Sequence, residues 1–252
     1  MKTKILMLLC VVMFTSCKKN RNAEPVAEQK TYLSKLTTYI GAETWSYDTQ
    51  NKPTSMVFAS TYEPTDPSYT YKINILTNEG AVIDAVYDYV STLKPDIREL
   101  KTYNIEGKLI RTTLFINATG LSEGYTTYEY LVNEIKSTTY NTSNSIISSA
   151  LYTKSADGKN IVEIKKYNGT GSLQSRATYS NFDNKKSYAL LYPVGYGSGI
   201  INSNNYLTVV FFNAGIGTTN TTNYTYEYNT DGYATKRVMV GSNTETFEYI
   251  KK

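Results

Sequence analysis

The side chains of this 252-residue chain that could do chemistry are few in kind. Histidine is absent. That removes Ser-His-Asp and Cys-His catalysis, the commonest zinc ligand and the commonest general base. Carboxylate chemistry remains, with 22 Asp and Glu. Two carboxylates flanking a glycosidic bond can serve as acid and base or nucleophile, and oxygen ligands can hold calcium. The carboxylates here are scattered. Asp157-Gly158 and Asp231-Gly232 read as turns, and no Asp-x-Asp-x-Asp-Gly loop occurs. Gly195-Tyr196-Gly197-Ser198-Gly199 lacks the Lys-Ser/Thr of a phosphate-binding loop and reads as a flexible connection. No catalytic residue, metal ligand or cofactor is assigned from these residues.

Tyrosine is the other resource: 25 Tyr against 7 Phe and 1 Trp. The stretch Ser187 to Asn205, SYALLYPVGYGSGIINSNN, breaks the regular pattern of the rest and mixes Tyr188, Tyr192 and Tyr196 with Gly and Pro. Irregular insertions on a rigid scaffold are where binding tends to reside, so these three are the candidate ligand-binding residues. Tyr224, Tyr226 and Tyr228 form a second row, either a strip for stacking sugars or a core face whose hydroxyls reach the sheet rim.

The N-terminus bears on location. Lys2 and Lys4 precede Ile5 to Phe14, an unbroken apolar run of ten residues, which suits a secretion signal and is too short to span a bilayer as a helix. Phe14-Thr15-Ser16-Cys17 follows and resembles a bacterial lipobox, which implies cleavage before Cys17 and its acylation. Diacylglycerol plus an amide-linked chain exceeds the two signals a stable tether needs. Residues 1–16 are then a lipoprotein signal, 17–30 a lipidated cysteine with a flexible tether, and 31–252 one domain. Cys10 leaves with the signal, so no disulfide can form. Loss of Lys2 and Lys4 takes the 26 basic residues to 24 against 22 acidic ones, no footprint for nucleic acid.

From Thr31 onward the sequence reads as strands. Tyr224, Tyr226 and Tyr228 alternate with Thr225, Glu227 and Asn229; Tyr128, Tyr130 and Val132 alternate with Thr127 and Glu129; Ile83, Tyr87 and Tyr89 oppose Asp84 and Asp88. Period two marks antiparallel strands with one packed and one wet face. Between them recurs Tyr-Asn-x-x-Gly-x-apolar, at Tyr103, Tyr167 and Tyr228, with looser copies at Tyr47 and Leu76. Asn bonds its own backbone two residues on and Gly supplies positive φ. The motif is therefore a hairpin turn, with Gly107, Gly171 and Gly232 expected at φ > 0 and its outer residues directed to the packed face. The steps of about 30 residues, or twice that, predict an all-β, antiparallel up-and-down meander of roughly 12–14 strands, forming a closed or nearly closed barrel-like sheet.

These units resemble tyrosine-aspartate (YD, Rhs-type) repeats. The chain from Cys17 on is also similar to a family of bacterial envelope lipoproteins of unknown function with a porin-like β-fold. The lipobox, TWSYDTQNKPTSMV from Thr44, and FDNKKS from Phe182 followed by the Asn-rich Asn202 to Asn205 carry that likeness. The resemblance implies a fold and brings no catalytic residue.

The function expected is that of a membrane-anchored cell-envelope lipoprotein, non-catalytic, either binding a glycan or an envelope protein or serving a structural role. The alternative is a carboxylate-dependent hydrolase of envelope or dietary glycans. The partners expected are the membrane, through the lipid, and no nucleic acid. Lys18-Lys19 after Cys17, where acidic residues would accompany export to the surface, favour the periplasmic side of the outer membrane over the cell surface.

Overall fold

The structure is a computed structural model that describes residues 29–61, 70–78, 81–91, 95–196 and 200–252. The signal, Cys17 and most of the tether lie outside the described residues. Residues 31–252 form one compact unit.

Sixteen antiparallel strands run in sequence order around a closed barrel. They are β1 Thr31–Thr37, β2 Gly41–Tyr47, β3 Pro53–Ser60, β4 Tyr71–Asn78, β5 Ala81–Tyr89, β6 Ile97–Tyr103, β7 Leu109–Ile116 and β8 Ser122–Tyr130, followed by β9 Glu134–Tyr140, β10 Ile146–Lys154, β11 Ile161–Asn168, β12 Leu173–Lys186, β13 Asn204–Asn213, β14 Thr218–Tyr228, β15 Ala234–Met239 and β16 Thr244–Lys251. The first and last strands close the wall, with Leu36 opposite Phe247 and Tyr32 opposite Ile250. Every ladder is thus satisfied within residues 31–252 and the main wall has no free edge. The count exceeds the 12–14 expected because several connections, such as Leu131-Val132-Asn133 and Ala214 to Gly217, turn the chain without the repeated motif. Val132, expected on a strand, lies in such a turn.

The repeated motif is a hairpin device with one chemistry. In the turn after β6, the Asn104 N–H donates to the Lys108 carbonyl and the Gly107 N–H to the Asn104 carbonyl. The Asn104 side-chain oxygen accepts from the N–H groups of Glu106 and Lys108. The same bonds recur on Asn168 and Asn229. They recur also on Asp48 and Asn141, where Asn51 (φ 62°) and Asn144 (φ 60°) replace the glycine. Gly107, Gly171 and Gly232 have φ of 72°, 82° and 83°. Each turn is followed by a bulge that pairs the preceding Tyr with the residue six positions on, as in Tyr103 with Leu109 and Tyr228 with Ala234. A Cβ at Gly107 or Gly232 would meet no atom within 4 Å, so the requirement is conformational rather than steric. Replacing either with Val is expected to lower unfolding free energy by about 1–2 kcal/mol, measurable by urea titration. Asn at the same site, as at 51 and 144, should cost less than half of that.

The fixed period is corrected by the topology. Turns after even-numbered strands lie at one rim, those after odd-numbered strands at the other, so Tyr103 and Tyr228 share a rim while Tyr167 sits at the opposite one. The tyrosine also does not always face inward. Tyr103 and Tyr47 do, donating hydroxyl bonds to the carbonyls of Val82 (2.6 Å) and Leu33 (2.7 Å). Tyr167 pairs with Ser149 on the outer face, and Tyr140, in the further copy, stacks outside on Tyr125. The face follows the rim: the copies that end β2, β6 and β14 turn the tyrosine inward, and those that end β9 and β11 turn it outward.

Alternation separates two surfaces. Facing inward are Glu43, Trp45 and Tyr47 of β2, Glu99, Lys101 and Tyr103 of β6, and Glu245, Phe247 and Tyr249 of β16. The core includes Leu33, Leu36, Trp45, Met56, Ile73, Val82 and Phe247. The outer face carries Arg98–Asp84 (2.6 Å), Lys165–Glu163 (2.6 Å), Lys236–Glu227 (2.9 Å) and Lys35–Glu248 (3.6 Å), among Thr, Ser and Asn. A lipid-facing wall needs an apolar band, and a Lys or Arg at mid-bilayer costs about 2–4 kcal/mol.

Candidate functional site

The interior is where the fold gathers unusual groups. The connection between β12 and β13 contains the short 3-10 turn Tyr188–Leu191. The Ser187 hydroxyl accepts from the Ala189 N–H at 3.3 Å and starts the turn. Bonds from the Ser187 N–H to the Ser203 carbonyl and from the Val82 N–H to the Val194 carbonyl pin the segment to the rim. Gly195, at φ 80°, is buried against the Tyr103 ring, where a Cβ would collide with the hydroxyl.

Tyr188, Tyr192 and Tyr196 are brought together by this segment, and they point inward. Ring centroids lie 5.9 Å apart for Tyr188–Tyr192 and 5.0 Å for Tyr192–Tyr196. Trp45 sits 5.5 Å from Tyr192 and 4.8 Å from Tyr196, and Phe247 lies 4.4 Å from Tyr188. The three tyrosines form an aromatic plug filling one side of the barrel, with their faces largely spent on each other and on the wall. Burial pushes the Tyr188 hydroxyl up to about 12 and raises Tyr192 and Tyr196 further, so all three are neutral at physiological pH. Tyr224, Tyr226 and Tyr228 also face inward. Tyr226 donates to the Tyr206 carbonyl (3.0 Å) and Tyr228 to Asp183. Tyr226 and Tyr228 pack against the core, and Tyr224 lies 5.6 Å from the Tyr206 ring.

Charged groups missed by sequence reasoning surround the plug. The Tyr192 hydroxyl donates to Glu43 Oε2 at 3.1 Å. Burial raises the Glu43 carboxyl above its ordinary value. Tyr192 and the Trp45 indole pull the other way without overcoming it. Lys101 Nζ lies 2.9 Å from Glu99. Arg237 Nε donates to Glu245 Oε2 at 2.6 Å, and Nη1 to the Tyr206 hydroxyl at 3.3 Å. A cavity of about 160 Å³ lies beside Arg237, bounded by Ser187, Tyr188, Asn202, Asn205 and Tyr226. Among the described residues no group of three or more His, Cys, Asp or Glu is placed to hold a metal ion. Ser187 to Tyr196 and Ile200 to Asn205 are described, while residues 197–199 of the glycine-rich loop lie outside the described residues.

Glu43 sets a pH dependence. Its folded pKa is raised, so the folded state binds the proton more tightly than the unfolded chain. Its contribution is fully present below the ordinary carboxyl value and is lost as pH rises through the raised one. Glu43→Gln is therefore expected to raise the melting temperature near pH 7 and to match the wild type near pH 4. A difference between the two that stays flat over pH 4–8 would refute the assignment.

No family model and no curated protein matches the chain. Among solved structures it is similar to a porin-like protein from Bacteroides vulgatus, at 11% identity and TM-score 0.44, covering 88% of this chain and 99% of that one. It is similar also to a porin-like protein from Bacteroides uniformis, at 13% and 0.41, covering 87% and 98%. A domain of an outer membrane lipoprotein-sorting protein from Vibrio parahaemolyticus gives 8% and 0.27, covering 88% of this chain and 84% of that one. Similarities this shallow carry no argument about function.

Proposed function

We propose that this chain is a cell-envelope lipoprotein, tethered through acylated Cys17, whose barrel is a non-catalytic body standing in water beside the membrane. The observation that carries the reading is the outer face of the wall. Ion pairs such as Arg98–Asp84 and Lys165–Glu163 point outward from the strands, which suits an aqueous surface and not acyl chains. A barrel that does not itself enter the bilayer has use for a lipid anchor, and Phe14-Thr15-Ser16-Cys17 supplies one. The inward carboxylates favour the non-catalytic reading over a glycan hydrolase. Glu99 and Glu245 are spent on Lys101 and Arg237, and Glu43 is packed under Tyr192 rather than set across an open cleft from a second carboxylate. The role is binding of a glycan or envelope protein, or structural, with Tyr188, Tyr192 and Tyr196 contributing to a site if the plug opens. Lys18-Lys19 favour the periplasmic side of the outer membrane.

The test has two arms. Wild-type protein should incorporate palmitate and resist alkaline carbonate extraction, and Cys17→Ser should abolish the label. Residues 31–252 expressed without the N-terminus should remain in solution without detergent. Label retained in Cys17→Ser would refute the anchor, and a detergent requirement for residues 31–252 would refute the water-facing wall.

A further inference from the structure

The cavity beside Arg237 stands apart from the other hollows by the groups it collects. It holds about 160 Å³. A cavity of roughly 150 Å³ takes one benzene, so the space suits one six-membered ring. It lies where the β12–β13 ladder is interrupted: Phe182 pairs with Tyr206, and the next pair is Lys186 with Asn204. Breaks of this kind re-aim side chains and gather beside sites. A larger hollow of about 390 Å³, walled by Tyr103, Ile105 and Val194, has no charged side chain in its lining. One of about 170 Å³ sits on the outer wall around the half-exposed Arg98.

The lining of the Arg237 cavity offers donors and acceptors with no net charge. Glu245 offsets the guanidinium, bonded to its Nε at 2.6 Å and paired with its Nη2. Glu245 and the Tyr206 hydroxyl engage three of the five N–H groups, and a planar fork of this kind has donors to spare for neighbouring hydroxyls. Asn202 gives its side-chain oxygen to the Ile161 N–H at 2.6 Å, which leaves its NH₂ as donor. Asn205, 3% exposed, gives its NH₂ to Asp183 and to the Lys186 carbonyl, which leaves its oxygen as acceptor. Around these polar groups stand the rings of Tyr188 and Tyr226 and the side chain of Ile201.

We propose that this cavity binds one neutral hexopyranose ring. A sugar ring has the size of the space, a rim of hydroxyls that both donate and accept, and C–H faces that pack on aromatic rings. The Arg237 fork and the Asn202 amide are the donors for its hydroxyl oxygens, and the Asn205 oxygen is the acceptor for a hydroxyl hydrogen. An anionic ligand is a poorer occupant, because Glu245 already neutralises the one cation in the lining. The inference deepens the binding role proposed above and rests on it. It adds a site that is formed with the plug closed, since Tyr192 and Tyr196 are not part of the lining.

The experiment uses residues 31–252, which close every ladder among themselves, in saturation-transfer NMR with D-glucose, D-galactose and D-mannose, and with D-glucuronate as the anionic probe. At least one neutral sugar should receive transfer at its ring C–H protons. On the wild type, that sugar should shift the side-chain amide signals of Asn202 and Asn205 in ¹H–¹⁵N spectra. Ala189→Leu fills the cavity from the 3-10 turn and should weaken binding by about tenfold or more. Arg237→Met/Glu245→Met removes the polar pair together and should weaken it as far. Ala118→Leu, the same enlargement in an exposed turn after β7, should leave binding within about twofold of the wild type. No transfer to any neutral sugar from the folded wild type would overturn the proposal. So would tighter binding of glucuronate, amide shifts confined to residues outside the cavity, or undiminished binding in folded Ala189→Leu. None of these outcomes bears on the anchor or the outer wall, which palmitate labelling and the detergent requirement test separately.

Discussion

Trp45→Ala should destabilise the barrel by about 3–5 kcal/mol, a large part of the 5–15 kcal/mol that holds a typical domain together. Trp45 is 5% exposed on the inner face of β2. Its ring supports Tyr192 at 5.5 Å and Tyr196 at 4.8 Å, and both belong to a segment that is otherwise pinned by few backbone bonds. Removing the indole leaves a cavity bounded by the plug on one side and the wall on the other. The wall cannot collapse without breaking ladders to β1 and β3, so relaxation must come from the plug. The loss should therefore appear twice: in the urea midpoint by far-UV circular dichroism, and in near-UV tyrosine signal below the main transition. Trp45 is the single tryptophan, so fluorescence cannot follow the variant. A loss under 1 kcal/mol would mean that the plug does not lean on this ring.

Breaking the inner ion pair of Arg237 and Glu245 should have the next largest effect. The side chains are 13% and 16% exposed, and the guanidinium also lies 5.2 Å from the Tyr224 ring centroid. Removing one partner of a buried pair costs about 3–5 kcal/mol because the other charge is left stranded. Partial exposure here brings the expectation for Glu245→Gln to about 2–3 kcal/mol. Replacing both, Arg237→Met/Glu245→Met, removes the desolvated charges together and should recover most of that loss. If the double variant is as unstable as the two singles added, the residues act independently and the pair is not a unit.

Much of this protein follows from local sequence, because local sequence carries the turn and the alternation. Asn104 and Gly107 are neighbours, and the bonds that make the hairpin lie within five residues, so the motif announces the geometry before any tertiary contact forms. Period two in Tyr224 to Tyr228 likewise makes a strand with two unlike faces. Which face is inside is not local. Lys101 and Glu99 face inward while Arg98 and Asp84 face outward, and both pairs are legible only as alternating charges. The choice depends on what the barrel places opposite, here Tyr87 and the plug beside Glu99, and water beside Arg98. Closure is a matter of β1 meeting β16 across more than 200 residues, which no window of sequence contains. The same holds for Tyr188, Tyr192 and Tyr196. Their composition marks an irregular insertion, and only the enclosing wall, with Trp45 and Phe247 within ring contact, turns it into a plug. Burial is a property of what surrounds a residue, and for an aromatic insertion in a tyrosine-rich chain that is decided by the closed sheet.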